Sequence, residues 1–447
     1  MMQNRDEDVD NAISEYNPQT HKIMKRPDKL TKGDTPLYRT EKLPRSRQRY
    51  INEVELFFLF GKNVKWVQRS GTSEAYNAFN DFLTEMHFNA RTRTAKRLAG
   101  SETECAKLYD IYKDSKGKIH SQLVVLARSK GYQLRPMFDK FGALVAFAYG
   151  YRQKENGKTI QHWDVQTPQF LFYCAQNGFG WDVQTLPNPT GKINVIYVQQ
   201  PKAWDGVEPR LEREEMLDSK VADTNNYFAD PIAAATADVI QSMVDPNKPG
   251  KLIQLSGANS RFEYINPPQQ SEIRRAEKDE LEKSILFDSF TPDLGFEALR
   301  GLGTLSGAAI RNSFILGYMK RDRNIEVYGE LLEREKNLMI EILKYTHAEI
   351  DWKDFDVDFE FAEPFSEDNR DFWQSISSLY GSGLVSLDTA VDKINLVKDK
   401  DAEIDKIMCA TFEQNVQAEK AAEASEDKPI VGFQQQTKQQ TGGEGNE

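Results

Sequence analysis

The chain has 447 residues, 39% hydrophobic and 11% aromatic, with a net charge of −11, which is core material for roughly two to four domains of about 150 residues and excludes general disorder. No run of about 18 apolar residues occurs, the longest candidates being VELFFLFG and GALVAFAYG, so no membrane-spanning helix is expected. Cys105, Cys174 and Cys409 stand far apart and the five histidines form no HxxxH or CxxC-like pair, so neither a disulfide framework nor a zinc centre is signalled, and the acidic start MMQNRDEDVD reads as a soluble, unexported chain made in a reducing cytoplasm.

The charge is uneven. From Asp351 onward there are 22 acids against 9 Lys and Arg, whereas Lys22–Arg49 alone holds 10 basic residues against three acids. A protein that wraps tightly around DNA needs a dense basic stripe, and this acidic chain with one basic arm lacks it. The balance suits a protein that handles DNA without holding it.

Residues 1–47 are polar and proline-punctuated (YNPQ, RPDKLTKGDTPL, LPRSR), which predicts a flexible arm, and the same argument makes 421–447 a disordered tail. From Tyr50 to Ser101 apolar residues recur at helical spacing, as in Tyr76, Phe79, Phe82, Leu83 and Met86. Between Gln122 and Val198, short runs such as QLVVLA, ALVAFAYGY and INVIYV alternate with SKG, ENGK and NGFG, which is turn chemistry and predicts a β-rich region. Asp230 as a cap and Pro231 at a first helical position predict a helix through ADPIAAATADVIQSMV, stopped at DPNKPG. KLIQL and RFEYI have strand character. Ser271–Asp288 predicts a charged helix roughly 27 Å long, polar nearly all round and therefore suited to packing beside copies of itself. A long helical pattern from Ser306 to Tyr345 is interrupted by Gly317 and Gly329, where a kink is expected. The strand DFDVDFEF and consecutive acidic helices with a glycine stop at 381 and 383 complete the order, and no internal repeat is present.

Three stretches invite chemistry. RGLGTLSGAAIRNSF at 300–314 spells G-x-G-x-x-x-G, but the preceding FDSFTPDLGFEALR is not the strand a dinucleotide site requires, no Lys follows Gly307, and Gly191-Lys192 has Leu186 where a Walker loop needs its first glycine. The reading that holds is a glycine loop feeding a helix. Asp354, Asp356, Asp358 and Glu360 share one face of DFDVDFEF and could hold magnesium, but a solvated edge-strand face fits better because no second acidic cluster or histidine joins them. RTRTAKR at 91–97 reads as a solvated helix face before a nucleic-acid contact, and His162 beside Trp163 as a partly buried strand residue. No catalytic residue, metal site or cofactor is expected.

The order of elements resembles the portal protein of tailed, siphophage-type bacteriophages over about 50–415. The likeness is most specific in FTPDLGFEALRGLGTLSGAAIRNSF, with Ser306, Gly307, Ala309, Ile310 and Arg311 at the helix start, and in VDFEFAEPFSEDNRDFWQSISSLYGSGLVSLDTAVDKINLVKDKDAEIDKI. The resemblance implies an α+β ring subunit with a helical stem, a β-rich wing, a small clip and an α-helical crown. Carried over, 48–225 and 306–362 would form the wing, 226–246 and 269–289 the stem helices, 247–268 a short clip, 290–305 the tunnel loop and 363–420 the crown. It also implies a homo-oligomeric ring, usually a dodecamer, at one capsid vertex of the virion, assembled in the bacterial cytoplasm. Double-stranded DNA would pass through it in packaging and ejection. The implied partners are the terminase large subunit, major capsid and scaffolding proteins and head-completion or neck proteins, with no membrane and no cofactor. Leu294, Gly295, Arg300, Gly301, Gly303, Thr304, Ser306 and Arg311 would face the channel, and Lys248, Lys251 and Arg261 would serve the clip. The acidic C-terminal third fits a channel that repels phosphate and lets DNA slide. The rival readings are a nucleotide-binding enzyme using Gly301–Gly307, and another ring-forming virion connector such as a neck adaptor, though adaptors are normally far shorter.

Overall fold

The computed structural model describes residues 2–30, 36–115, 117–155, 157–229, 232–236, 239–240, 255–256, 261–265, 271–295, 300, 312–365, 369–394, 400, 402–412 and 416. The chain divides into two units, Met1–Phe365 and Ser366–Glu447.

The first unit opens with α1 (Met2–Tyr16), which buries Val9 and Ala12, one helical turn apart. Two 3₁₀ turns and a two-stranded ribbon, β1 (Lys29–Leu30) with β2 (Pro36–Tyr38), lead to α2 (Arg47–Phe60). The apolar density of VELFFLF in α2 has a simple cause: Ile51, Val54, Leu56, Phe58, Leu59 and Phe60 are all buried, so the helix is enclosed on several sides. Next come β3 (Lys65–Ser70), α3 (Ser73–Glu85), capped by Thr72 accepting from the Ala75 amide at 3.2 Å, and α4 (Phe88–Glu102).

Two sheets follow. β4 (Glu104–Lys113), β5 (Ile119–Leu126) and β11 (Val195–Gln199) form one in the order β11-β4-β5. A five-stranded meander of β6 (Gln133–Phe138), β7 (Leu144–Glu155), β8 (Lys158–Gln166), β9 (Phe170–Asn177) and β10 (Gly180–Pro187) forms the other. Strand alternation decides what each face touches. Ala106, Leu108, Val195 and Tyr197 pack on Leu134, Phe147 and Tyr149 of the meander. Cys105, Tyr109, Ile196 and Val198, pointing the opposite way, join the main core.

A helix α5 (Glu208–Ala229) then leads into two small antiparallel ribbons, β12 (Ile232–Thr236) with β15 (Arg261–Ile265) and β13 (Val239–Ile240) with β14 (Leu255–Ser256). α6 (Ser271–Asp288) returns, and α7 (Ile315–Thr346) contributes Leu332, Leu338, Met339, Ile342 and Leu343 to the main core. β16 (Asp356–Glu360) pairs with β3 (Lys65–Ser70), far earlier in the chain. The second unit carries α8 (Asn369–Gly381), α9 (Leu387–Ile394) and helical residues at 402–412, with Gly383 at φ 76° closing the turn between the first two.

Several expectations need correction. The helix expected over 226–246 is displaced: α5 ends at Ala229, and Ile232–Thr236 is a strand whose alanines pair with Phe262, Glu263 and Tyr264. Pro231 disfavours helical backbone at the residue before it, and ladder pairing then overrides alanine's helical preference. The arm expected to be flexible over 1–47 is docked where it is described. Arg128 binds Asp10 at 3.0 Å and Arg135 binds Asp6 at 2.6 Å, contacts more than a hundred residues apart that no local pattern signals. RTRTAKR is not a solvated face throughout: Lys96 is buried against Glu55, and Arg93 donates to the Phe60 carbonyl at 2.8 Å. α7 runs unbroken through Gly317 and Gly329, and Gly317 has a packing reason, because a Cβ there would lie 2.5 Å from the buried Phe58 ring. Two acids of β16 are ion-paired, Asp358 with Arg69 at 2.7 Å and Asp356 with Lys336 at 3.2 Å. Among the described residues no cluster of metal-ligating side chains occurs.

Candidate helix-pair and channel-loop site

α5 and α6 lie antiparallel, as their cross-pairs require: Arg210 with Asp288, Arg213 with Glu277 at 2.6 Å, Asp218 with Lys278 at 2.9 Å, and Thr224 accepting from Arg274 at 3.3 Å. These pairs are largely exposed, so each adds little stability, and together they set the register of two helices that also meet through the buried Leu211 and Ile285. Ile273 and Phe287 stand exposed on α6.

The remaining faces of α5 are acidic, and they receive the basic arm. Glu208, Glu212, Glu215, Ser219 and Asp223 follow helical spacing, and all but Glu208, which Lys202 takes, are met by the polypeptide before α2. Lys202 pairs with Glu208 at 2.7 Å, Lys22 with Glu212 at 2.6 Å, His21 with Glu215 at 2.6 Å and Arg26 with Asp223 at 2.6 Å. The Leu43 amide donates to Ser219 at 3.0 Å. Arg45 and Arg47 converge on the fully buried Glu214 at 3.0 and 3.2 Å. Lys22, Arg26, Arg45 and Arg47 of the basic run are thus engaged by acids of the chain itself.

α6 ends in a left-handed cap. Phe290, at φ 51°, takes a position usually held by glycine, its amide donating to the Phe287 carbonyl at 3.1 Å and that of Thr291 to Leu286 at 2.9 Å. Tyr50 of α2 then clamps the chain, its hydroxyl donating to the Pro292 carbonyl at 3.0 Å and accepting from the Leu294 amide at 2.8 Å. Asp293 accepts from the Gly295 amide at 2.7 Å. Leu294 packs with Val54, Phe58 and Phe314, and Phe314 stacks on Phe365 at 5.0 Å. Both ends of the glycine-rich segment therefore rest on one aromatic cluster.

Beneath that root lies a buried charge network. Lys320 donates to the carbonyls of Ser289 and Ala203 at 3.0 and 2.9 Å and pairs with Glu55 at 3.0 Å. Lys96 also pairs with Glu55 and donates to Gln200 at 2.9 Å and Asn324 at 3.2 Å. Burial alone would raise the Glu55 pKa, but the two ammonium groups outweigh it and hold the carboxyl at about 2. Burial pulls the Lys96 pKa down against the attraction of Glu55. Glu55, Lys320, Arg323 and Phe290 line an adjoining cavity of about 240 Å³.

Of the residues singled out in the sequence, Leu294 and Gly295 sit at this root and Arg300 is exposed in a helical conformation. Gly301, Gly303, Thr304, Ser306 and Arg311, with Lys248 and Lys251, lie outside the described residues. Arg261 opens β15, in a ribbon separate from that root, paired with Thr236. Sequence reasoning missed Tyr50, Glu55, Phe58 and Lys320. One signal was available: Glu55 is a lone acid inside the apolar run VELFFLF. No strand stands directly before the glycine segment among the described residues, since α6 and its irregular exit occupy 271–295.

The model of the family described as "Phage portal protein, SPP1 Gp6-like" matches residues 3–415. The chain belongs to the phage portal protein family. The mixed α and β architecture is that of a portal subunit, and its role is that of a portal connector of a virion. Among solved structures, the chain is similar to a component of the "neck of native GTA particle computed with C12 symmetry" (11% identity, TM-score 0.44, 79% of this chain and 91% of that one). It is also similar to a component of the "virion of native gene transfer agent (GTA) particle" (10%, 0.42, 78% and 89%). A third likeness is to the "neck of empty GTA particle computed with C6 symmetry" (9%, 0.42, 80% and 88%). No curated protein matches the chain.

Proposed function

We propose that copies of this portal protein form a ring, of twelve subunits, at one capsid vertex, and that double-stranded DNA passes through its centre in packaging and ejection. The observation that carries this reading is the family match over residues 3–415. α5 and α6 are the stem pair, which moves the first stem helix upstream to Glu208–Ala229, and the ribbons of Ile232–Ile265 are the clip. The segment 290–305 is the tunnel loop, the sheets with α7 form the wing, and α8 with the helices after it forms the crown. The two helices share mainly exposed ion pairs, which suits a stem whose other sides meet neighbouring copies.

In this reading the ring is a conduit without enzymatic activity. The terminase large subunit docks at the clip and supplies the work, major capsid and scaffolding proteins surround the wing, and neck proteins later replace the motor. Assembly takes place in the bacterial cytoplasm. Arg300 and Arg311 stand near passing phosphates. Electron microscopy of the purified full-length chain tests the proposal: it should show rings with a central hole, and mass measurement should count twelve copies. Monomers or filaments alone under every assembly condition would refute the ring, and ATP binding by the monomer would favour a nucleotide enzyme instead.

A further inference from the structure

The contact between His21 and α5 has a property that its neighbours lack. His21 and Glu215 are both about 5% exposed, with Nδ1 2.6 Å from Glu215 Oε1 and Nε2 2.7 Å from the Glu15 carbonyl oxygen. A carbonyl oxygen only accepts, so Nε2 carries a hydrogen. Glu215 Oε1 already accepts the Arg45 amide at 2.8 Å, so it faces the ring as an acceptor and Nδ1 carries a hydrogen as well. Both nitrogens of a buried ring donate, which only the imidazolium can do.

We propose that His21 is a proton-operated clasp: as imidazolium it fastens the segment from α1 to the start of α2 onto α5, and loss of its proton loosens that segment. A neutral imidazole would leave one lone pair aimed at Glu215 or at the Glu15 carbonyl, in a space that water does not reach. Burial alone would lower the His21 pKa, but the hydrogen bond and charge of Glu215 and then the Glu15 carbonyl outweigh it and hold it above the ordinary 6.5. The clasp is therefore complete below 6.5 and fails as pH rises through the higher folded value.

The charges around the ring come from every element packed on it. α1 supplies Glu15, whose carboxylate is held by Lys202 at 2.6 Å and Trp204 at 2.8 Å. α5 supplies Glu215, Glu214 and Glu212, the last paired with Lys22, and the chain before α2 supplies Arg45 and Arg47. Imidazole is the side chain whose charge ordinarily changes in the range of about pH 6 to about pH 9, so a dependence there that is lost on replacing His21 reports the histidine.

Hydrogen exchange of the full-length protein, corrected for intrinsic rates and referenced to core residues 338–343, tests the clasp. Protection of residues 5–25 should fall by about threefold or more between about pH 6 and about pH 9 in the natural chain. His21→Gln should abolish this dependence, and Glu215→Gln should move the midpoint to lower pH because the carboxylate that favours the imidazolium is gone. Should His21→Gln fail to fold, the natural profile and the Glu215→Gln midpoint decide. Equal protection at both pH values, a dependence retained in His21→Gln, or an unmoved midpoint in Glu215→Gln would overturn the proposal.

Discussion

Replacing Glu55 by Gln tests the buried network where its consequences can be worked out. Glu55 is 4% exposed at its side chain and sits between Lys96 and Lys320, with its pKa held at about 2 against an ordinary 4.5. A depressed carboxyl contributes stability above 4.5 that is lost as pH falls toward about 2. A shift of that size corresponds to about 3 kcal/mol. Glu55→Gln removes this term and leaves two buried ammonium groups uncompensated, so the loss should be about 3–5 kcal/mol at neutral pH. Urea denaturation at fixed protomer concentration, across acid to neutral pH, reads the effect: the natural chain should weaken toward acid, and that limb should flatten in the variant. Adding Lys96→Met should restore part of the loss by removing one unpaired cation. A loss under about 1 kcal/mol at neutral pH, or an acid limb equally steep in Glu55→Gln, would refute the reasoning.

Gly317→Ala should lower the denaturation midpoint although alanine favours helix. Overpacking the Phe58 ring at 2.5 Å costs about 1–3 kcal/mol and outweighs a propensity gain of about 1 kcal/mol. The paired change Arg45→Ala with Arg47→Ala strands the buried Glu214 and should cost about 3 kcal/mol or more, with faster proteolysis before residue 47. Thiol labelling of the folded chain should modify the exposed Cys409 quickly and leave Cys105 untouched until unfolding, since burial pushes the Cys105 thiol up to about 12.

Local pattern carried the elements that depend on local pattern. The charged helix Ser271–Asp288 was legible to the residue, and the alternation in DFDVDFEF separates the acids from Phe355 and Val357, which are buried. The turn chemistry between Gln122 and Val198 likewise marked the β-rich region. What failed depended on distant partners. β3 lies within the stretch from Tyr50 to Ser101 that was expected to be helical, and is a strand where β16 pairs with it some 290 residues later. The alanines of β12 favour a helix until β15 supplies a ladder. The arm before α2 looks disordered because its anchors, from Glu212 to Asp223, are acids that acquire a partner only in three dimensions. At the candidate site the clamp at Tyr50 and the pair Glu55–Lys320 were not legible, since a single acid in an apolar run does not name its cation.

Leu294 and Phe314 return to the same patch of α2, so the segment between them begins and ends at one place on a rigid body. A chain closed in this way changes its length at little cost: doubling a flexible loop adds only about 0.6 kcal/mol of closure entropy. Residues can thus be gained or lost there without disturbing either helix it joins. Under the proposed assignment of 290–305 to the tunnel loop, length alone would tune the bore of the channel, with the helical frame left as it is.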